Sequence, residues 1–161
     1  IFELKNRIKA HFPRRFITRQ NFPNDEKSIS VTLDEFSNLL RNDQFAFHWS
    51  AHGLSYGTPA NINQFLSNGT DVIFNCSRAA LNNISQNCAN LEVIVVTVSS
   101  NILRKRLILR GRESMKEINQ RMERNIDLLP ANAITIDNSK SIEEGLNSLI
   151  TAINPPMKTL L

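Results

Sequence analysis

Arginine is the side chain whose placement most suggests chemistry in this sequence of 161 residues. Arg104, Arg106, Arg110, Arg112, Arg121 and Arg124 crowd into one basic stretch, and Arg14, Arg15 and Arg19 form a second group. A guanidinium presents a planar fork of donors that grips phosphate oxygens, whereas lysine offers a flexible point charge. Two such groups suit two anionic ligands, or one long one. The reaction they serve best is phosphoryl transfer. Its transition state needs neutralised charge and alignment more than a covalent nucleophile. The plain alternative is a solvated helix face, in which Glu117 and Arg121, sharing one side of a turn, form a simple surface pair.

The other reactive residue types narrow the chemistry. Thr18 adds a hydroxyl beside the second arginine group. Tyr56, the single tyrosine, could donate its phenolic proton to the same anion or could simply pack with a wetted hydroxyl, and the sequence leaves both open. Ser77-Arg78 sits in CSR rather than the GxSxG of a nucleophile elbow, so Ser77 reads as a helix cap. Asp34 and Glu35 read as cap residues, not an acid–base pair. His48 and His52 lie in a stretch that is not helical, and His11 stands alone, so no zinc site is predicted. Cys76 and Cys88 match no redox, zinc or disulfide-scaffold spacing.

Composition sets the frame. Hydrophobic residues are 41% and charged residues 21%, enough apolar content for a buried core. The length suits one compact domain. The net charge of +4 suits an anionic small ligand as well as anything larger, so no nucleic-acid partner is predicted. No apolar run approaches the roughly 20 residues that cross a bilayer, and no leader is evident. The reading is a soluble cytoplasmic protein without a membrane partner.

The elements that must position these residues are predicted from patterning. Ile1, Leu4 and Ile8 recur at helical spacing with no cap before them, ending at Phe12-Pro13; this predicts a helix cut in its middle or a frayed terminal one. Arg14–Thr18 and Ile29–Val31 read as short strands around a polar loop. Thr32 and Glu35 form a capping box for a helix burying Phe36, Leu39 and Leu40. Phe45–Trp49 reads as a strand, followed by turns or paired strand ends at His52-Gly53 and Tyr56-Gly57. Thr58-Pro59 predicts a helix start, with the helix running to about Leu66 and stopping at Asn68-Gly69.

Asp71–Cys76 reads as the next strand, and Ser77 as the cap of a helix through Leu81 and Ile84. Leu91–Val98 is apolar and β-branched, which predicts a strand buried on both faces of a parallel sheet. Thr97 and Ser99 stand near its carboxyl end, where open α/β sheets bind ligands. Ser100 or Asn101 opens a helix with Ile102, Leu103, Leu107 and Ile108, stopped by Gly111. Ser114 and Glu117 box a helix through Ile118, Met122 and Ile126 to Pro130. Ile134–Ile136 is the last strand, and Ser141 and Glu144 box the closing helix through Ile153. The tail after Pro155-Pro156 reads as loose. Alternating strands and helices predict an α/β layer fold. A helix-turn-helix reading of Ser100–Asn125 explains the basic segment but none of the polar residues at strand ends.

Four motifs carry a resemblance across essentially the whole chain. RRFITR (Arg14–Arg19), FHWSAHGLSYG (Phe47–Gly57), DVIFNCSR (Asp71–Arg78) and RLILRGRESMKEINQR (Arg106–Arg121) resemble the ribose 1,5-bisphosphate phosphokinases, in the guanylate-kinase-like group of P-loop kinases. WSAHGLSYG and RGRES…EINQR are the distinctive segments. Members use ATP to phosphorylate ribose 1,5-bisphosphate, giving 5-phospho-α-D-ribose 1-diphosphate, in phosphonate breakdown. The resemblance implies a three-layer P-loop kinase-like fold with a mostly parallel sheet, as a single domain over residues 1–161. It implies a small acceptor-binding region at about 14–57 and a helical basic lid at about 106–124.

The resemblance also implies roles. Arg15, Thr18 and Arg19 would grip the acceptor phosphate, with Tyr56 on the same group. His52 and Gly53 would face the acceptor sugar, and Ser77 and Arg78 would stand between donor and acceptor. Arg106 and Arg110 would lie on the donor side, Asp137-Asn138-Ser139 near the adenine, and Arg112 and Arg121 would close over the moving phosphoryl group. The implied ligands are ATP with Mg²⁺ and a phosphorylated sugar. The runner-up readings are a guanylate-kinase-like nucleoside monophosphate kinase, in which Glu26 would contact the base, and a noncatalytic binding domain. A nucleic-acid binder would instead need a continuous basic stripe.

One departure stands out. A P-loop kinase carries GxxxxGK followed by Ser or Thr after its first strand, and no such run occurs here. Its place would be just before Ile1, which would make the uncapped opening helix the remainder of the one that follows the loop. The expectation is that a segment holding the loop and the first strand precedes Ile1. A protein that truly began there would be expected to lack kinase activity and to be poorly stable.

Overall fold

A computed structural model describes residues 3–19, 28–51, 53–88, 90–111, 114–123 and 130–154. They fall into two compact units, Ile1–Leu91 and Glu92–Leu161.

The first unit is built on a four-stranded mixed sheet. Its strands are β1 (Arg15–Ile17), β2 (Ser28–Ser30), β3 (Phe45–Ala51) and β4 (Leu54–Pro59), in the order β2-β1-β4-β3. β1 runs parallel to β2 and antiparallel to β4, with Ile17 opposite Tyr56. β3 and β4 form a hairpin in which Trp49 faces Tyr56 and Ala51 faces Leu54. The turn holds Gly53 at φ +72, a left-handed conformation that suits glycine.

Strand alternation puts Ile17, Tyr56 and Trp49 on one face of this sheet and Phe16 and Gly57 on the other. A bulge between Phe45 and Phe47 sends two like residues to opposite sides, because Phe45 pairs with Pro59 and Phe47 with Thr58. Phe45 therefore meets Phe16, with ring centroids 5.5 Å apart, and Phe36, at 4.7 Å. Phe36 comes from α1 (Leu33–Arg41), whose start is fixed by the box read in the sequence. The Glu35 amide donates to Thr32 Oγ1 at 3.1 Å, and the Thr32 amide donates to Glu35 Oε2 at 2.7 Å. Gly57 lies directly under the Phe45 ring, where a Cβ has no room.

On the other face, Trp49 forms a buried cluster with Ala80 and Ile84, joined by Phe47, Tyr56, Phe74 and Cys76. Ala80 ends a short 3-10 helix, Arg78–Ala80, and Ile84 belongs to α3 (Leu81–Asn87). A further helix, α2 (Ile62–Ser67), buries Ile62. His11 stacks on Phe65 with centroids 3.6 Å apart, and burial together with the nearby Lys5 charge holds its pKa below the usual value.

The second unit pairs β5 (Ile94–Thr97) with β6 (Ile134–Asp137) in parallel, Ile94 against Ile134 through Thr97 against Asp137. Three helices accompany it: α4 (Ser100–Arg110), α5 (Met115–Met122) and α6 (Ile142–Ile153). Gly111 ends α4 at φ +62, and the boxes at Ser114–Glu117 and Ser141–Glu144 open α5 and α6 as the sequence predicts. Val95, Leu107, Ile118, Ile136 and Leu146 are buried. No helix among the described residues is long and apolar enough to cross a membrane.

Several predicted elements differ from what forms. Of the helix predicted from Ile1, the described residues form one turn of 3-10 helix, Glu3–Asn6, after which the chain leaves to bridge His11 to Val72; Ile1 and Phe2 lie outside the described residues. Thr58-Pro59 does not open a helix. Both residues pair with β3, and Pro59 sits at the strand end, where its missing N–H costs little. The α2 helix starts later, after Asn61, and without a side-chain cap. Asp71–Cys76 is extended but forms one isolated bridge rather than a ladder, since only the His11 backbone runs beside it among the described residues. Ser77 precedes a 3-10 helix and makes no capping bond, and Ser99, not Ser100 or Asn101, occupies the cap position of α4. The strand within Leu91–Val98 is not buried on both faces: Val95 is, but Val96 is 53% exposed. With β6 as its sole paired neighbour among the described residues, β5 divides its side chains between a packed and an open face. The parallel geometry predicted for the sheet holds in β1–β2 and β5–β6, whereas β4 is antiparallel to both its neighbours.

Candidate functional site

In the first unit the sheet brings two of the predicted acceptor residues, Arg15 and Tyr56, together. Arg15 lies in β1 and Tyr56 in β4, the adjacent strand. The Arg15 guanidinium carbon stands 5.3 Å from the centroid of the Tyr56 ring, within cation–π range. On the far side, β3 places Trp49 against Tyr56, with ring centroids 5.5 Å apart and planes only 7° from parallel. The order across the strands is thus guanidinium, phenol ring, indole. The Tyr56 ring packs against the core cluster, with the Arg15 guanidinium beside it.

Thr18 follows β1 directly. Its Oγ1 accepts a hydrogen bond from the Ser55 amide at 2.8 Å, and its own amide donates to the Ser55 carbonyl at 3.0 Å. The hydroxyl oxygen thereby fixes the end of β1 against β4, a role that the sequence did not disclose. Arg19 comes next and is half-buried. Gly53 is exposed at the hairpin turn. His52, Arg112, Arg124 and Glu26 lie outside the described residues.

Ser77 and Arg78 sit where the extended segment meets the 3-10 helix, and both are half-buried. Ser77 Oγ is buried and makes no hydrogen bond among the described residues. A buried hydroxyl without a partner is costly, so a ligand or water that satisfied it would be held firmly. Cys76 beside it has its thiol pKa pushed up by burial, countered in part by the Arg15 charge.

In the second unit, the loop after β6 is held by short-range bonds. Arg106 Nη1 donates to the Asn138 carbonyl at 2.9 Å, and Nη2 donates to the Lys140 carbonyl at 3.3 Å. Asp137 Oδ1 accepts from the Ser139 hydroxyl at 2.5 Å and from the Ser139 amide at 2.9 Å. The Ser139 hydroxyl, foremost, and then its amide hold the Asp137 carboxyl below its usual pKa. The Ser99 amide donates to Ser139 Oγ at 2.9 Å, tying the carboxyl end of β5 to the same loop. Arg106, Asp137 and Asn138, predicted for the donor side, therefore meet at one loop. Arg110 is exposed at the end of α4. Arg121 lies half-buried in the last turn of α5. The Glu117 carboxylate, a predicted partner of Arg121, is engaged by the Ser114 amide at 2.7 Å and hydroxyl at 2.8 Å. Arg104 joins α4 to α5 through Asn119 Oδ1 at 3.3 Å.

Trp49 is the main residue that sequence reasoning missed. Its signal was present in the hairpin itself, since residues 49 and 56 are equidistant from the turn, but it needed the register to be known. A separate cavity of about 250 Å³ lies between α1, β3 and α3, lined by Asp43, His48 and Asn83 among others, and holds none of the predicted site residues.

No protein-family model matches the chain. Among solved structures, guanylate kinase from Anaplasma phagocytophilum superposes with a TM-score of 0.72 over 98% of this chain and 81% of that one, at 19% identity. The fold is therefore guanylate-kinase-like. Among curated proteins, ribose 1,5-bisphosphate phosphokinase of Rhizobium etli is 38% identical over 150 residues, covering 92% of this chain and 76% of that protein. The namesake from Brucella melitensis is 36% identical over 141 residues, covering 86% and 73%. That of Agrobacterium fabrum is 35% identical over 153 residues, covering 94% and 84%. Identity at this level, over 86–94% of its length, places the chain in the ribose 1,5-bisphosphate phosphokinase family.

Proposed function

We propose that the protein transfers the γ-phosphoryl group of ATP to the 1-phosphate of ribose 1,5-bisphosphate, giving 5-phospho-α-D-ribose 1-diphosphate and ADP. The observation that supports this reading is the Arg15 guanidinium seated on the Tyr56 ring, on the strand that leads into Thr18 and Arg19, in a chain of this family. In this reading Arg15 and Arg19 neutralise the acceptor phosphate, and the Tyr56 and Thr18 hydroxyls donate to its oxygens. His52 and Gly53 face the sugar, and Ser77 and Arg78 stand between donor and acceptor. A terminal oxygen of the acceptor's 1-phosphate bonds to the γ-phosphorus. The bond from that phosphorus to the bridging oxygen breaks, and ADP leaves with the electron pair. The attacking oxygen is already anionic, so no general base is required.

Arg106 and Arg110, with the Asp137–Asn138 loop, take the donor side. Arg112 and Arg121 supply positive charge to the transferring group when the basic helices close. Among the described residues no three His, Cys, Asp or Glu side chains form a metal site. Mg²⁺ enters this reading as the counter-ion of the nucleotide's own phosphates. The ligands are thus ATP and a phosphorylated sugar, in a cytoplasmic protein working in phosphonate metabolism.

The test is a coupled ADP-release assay of the full-length protein with ATP and Mg²⁺, offering ribose 1,5-bisphosphate or GMP as acceptor. Turnover with the sugar bisphosphate and little with GMP is the expected result. Preference for GMP would replace this reading with a nucleoside monophosphate kinase. Saturable binding without turnover of either acceptor would replace it with a noncatalytic binding domain.

A further inference from the structure

Trp49 has no place among the residues assigned to the acceptor, yet the sheet ties it to them. It is buried, at 8% exposure, and is held by Ala80 and Ile84 from outside the sheet. Its indole is nearly parallel to the Tyr56 ring. Strand order puts β4 between β1 and β3, so Tyr56 stands between Arg15 and Trp49. An aromatic ring presents a negative face to a cation, and a ring free to rotate about its χ angles cannot hold a guanidinium in one orientation. Of the three, Trp49 alone is anchored in the fully packed core on its own account.

We infer that Trp49 is a positioning residue for the acceptor phosphate, fixing the Tyr56 ring and through it the orientation of the Arg15 guanidinium. The inference rests on the acceptor reading above and adds the element that makes the grip rigid. It carries a second consequence. Trp49 is the one tryptophan and Tyr56 the one tyrosine of the sequence, so the intrinsic fluorophores sit beside the acceptor site. Occupation of that site changes the charge packed around Tyr56, and the emission of Trp49 follows.

The test compares the unaltered full-length protein with Trp49→Phe, Trp49→Leu and, as reference, Arg15→Ala. KM for each substrate and kcat are measured alongside thermal melting. Trp49→Leu keeps an apolar side chain but removes the ring stack. It is expected to raise the acceptor KM about three- to thirtyfold, the size of a partly desolvated cation–π contact, with the ATP KM and kcat changed less than about twofold. Trp49→Phe keeps a ring and is expected to restore most of the acceptor KM. A merely structural role would lower melting temperature and kcat without singling out the acceptor.

If Arg15→Ala raises the acceptor KM and Trp49→Leu leaves it unchanged, the positioning role is overturned and the acceptor reading stands. If Arg15→Ala leaves it unchanged, the acceptor reading falls and takes this inference with it. Where Trp49→Leu fails to fold, fluorescence of the unaltered protein decides, with Trp49→Phe as the blank. Emission is expected to change saturably with ribose 1,5-bisphosphate, and not in Arg15→Ala. Emission that stays flat at acceptor concentrations saturating turnover overturns the coupling.

Discussion

Gly57→Ala offers a sharp check on how the acceptor sheet is packed. An alanine Cβ at this position would lie 2.5, 2.6 and 2.8 Å from three carbons of the Phe45 ring. Ordinary contact begins near 3.4 Å, so the ring must retreat by most of an ångström. It has little room, because Phe36 packs at 4.7 Å and Phe16 at 5.5 Å. Overpacking of this kind costs about 1–3 kcal/mol. The φ of Gly57 is not among the positive ones, so alanine adopts the backbone without strain and recovers about 0.4–1 kcal/mol from the unfolded chain.

The expected net loss is about 1–2 kcal/mol, or a fall in melting temperature of roughly 2–8 °C for a protein of this size. Trp49 emission is the probe to use, since it reports the unit that contains Gly57 rather than the whole protein. The decisive experiment is the cycle with Phe45→Leu. Each single change is expected to destabilise, and the double variant is expected to lose about 1 kcal/mol less than their sum, because the shorter side chain clears the new methyl. Stability unchanged in Gly57→Ala, or additivity within about 0.5 kcal/mol, would refute the packing argument.

Other outcomes follow from the same geometry. Arg106→Met removes the donors to the Asn138 and Lys140 carbonyls. It is expected to raise the KM for ATP severalfold while leaving the acceptor KM alone, and equal changes in both would refute the loop assignment. Gly145 in α6 lies under the Asn138 carboxamide, which a Cβ would displace. Gly145→Ala should therefore leave stability level or raised, by up to about 1 kcal/mol of helix propensity, while raising the KM for ATP, and an unchanged KM would count against the loop's role. Glu35 and Glu117 are held below their usual pKa of 4.5 chiefly by backbone hydrogen bonds to Thr32 and Ser114, and Glu144 chiefly by the Ser141 hydroxyl. Because the folded values are depressed, this stabilisation is complete above the unfolded value and is lost as the pH falls through the folded ones. Melting temperature should accordingly decline as the pH drops below about 4.5, and Glu→Gln at all three positions, which keeps an acceptor but not a titration, should flatten that decline. A slope that survives the triple change would place the acid sensitivity elsewhere.

The sequence by itself determined what depends on a few consecutive residues. The boxes at Thr32–Glu35, Ser114–Glu117 and Ser141–Glu144 and the left-handed stop at Gly111 all formed where the pattern put them, because each is closed by bonds spanning three or four residues. The choice of arginine, and the motifs around Arg15, Tyr56 and Arg106, likewise pointed to phosphate chemistry and to the family before any contact was known. What the tertiary structure decided was every matter of partnership. Thr58-Pro59 carries a sound local signal for a helix start, yet pairing with β3 outweighs it. Asp71–Cys76 has the composition of a strand and forms one isolated bridge among the described residues. Leu91–Val98 looks buried on both faces, and Val96 is open because exposure depends on neighbours the run itself does not contain. The stack of Arg15, Tyr56 and Trp49 joins β1 to a hairpin distant from it in sequence, and a register that one residue's slip would invert cannot be read from composition. Local hydrogen bonds are written in adjacent residues, whereas a site assembled across strands exists only once the strands have chosen their partners.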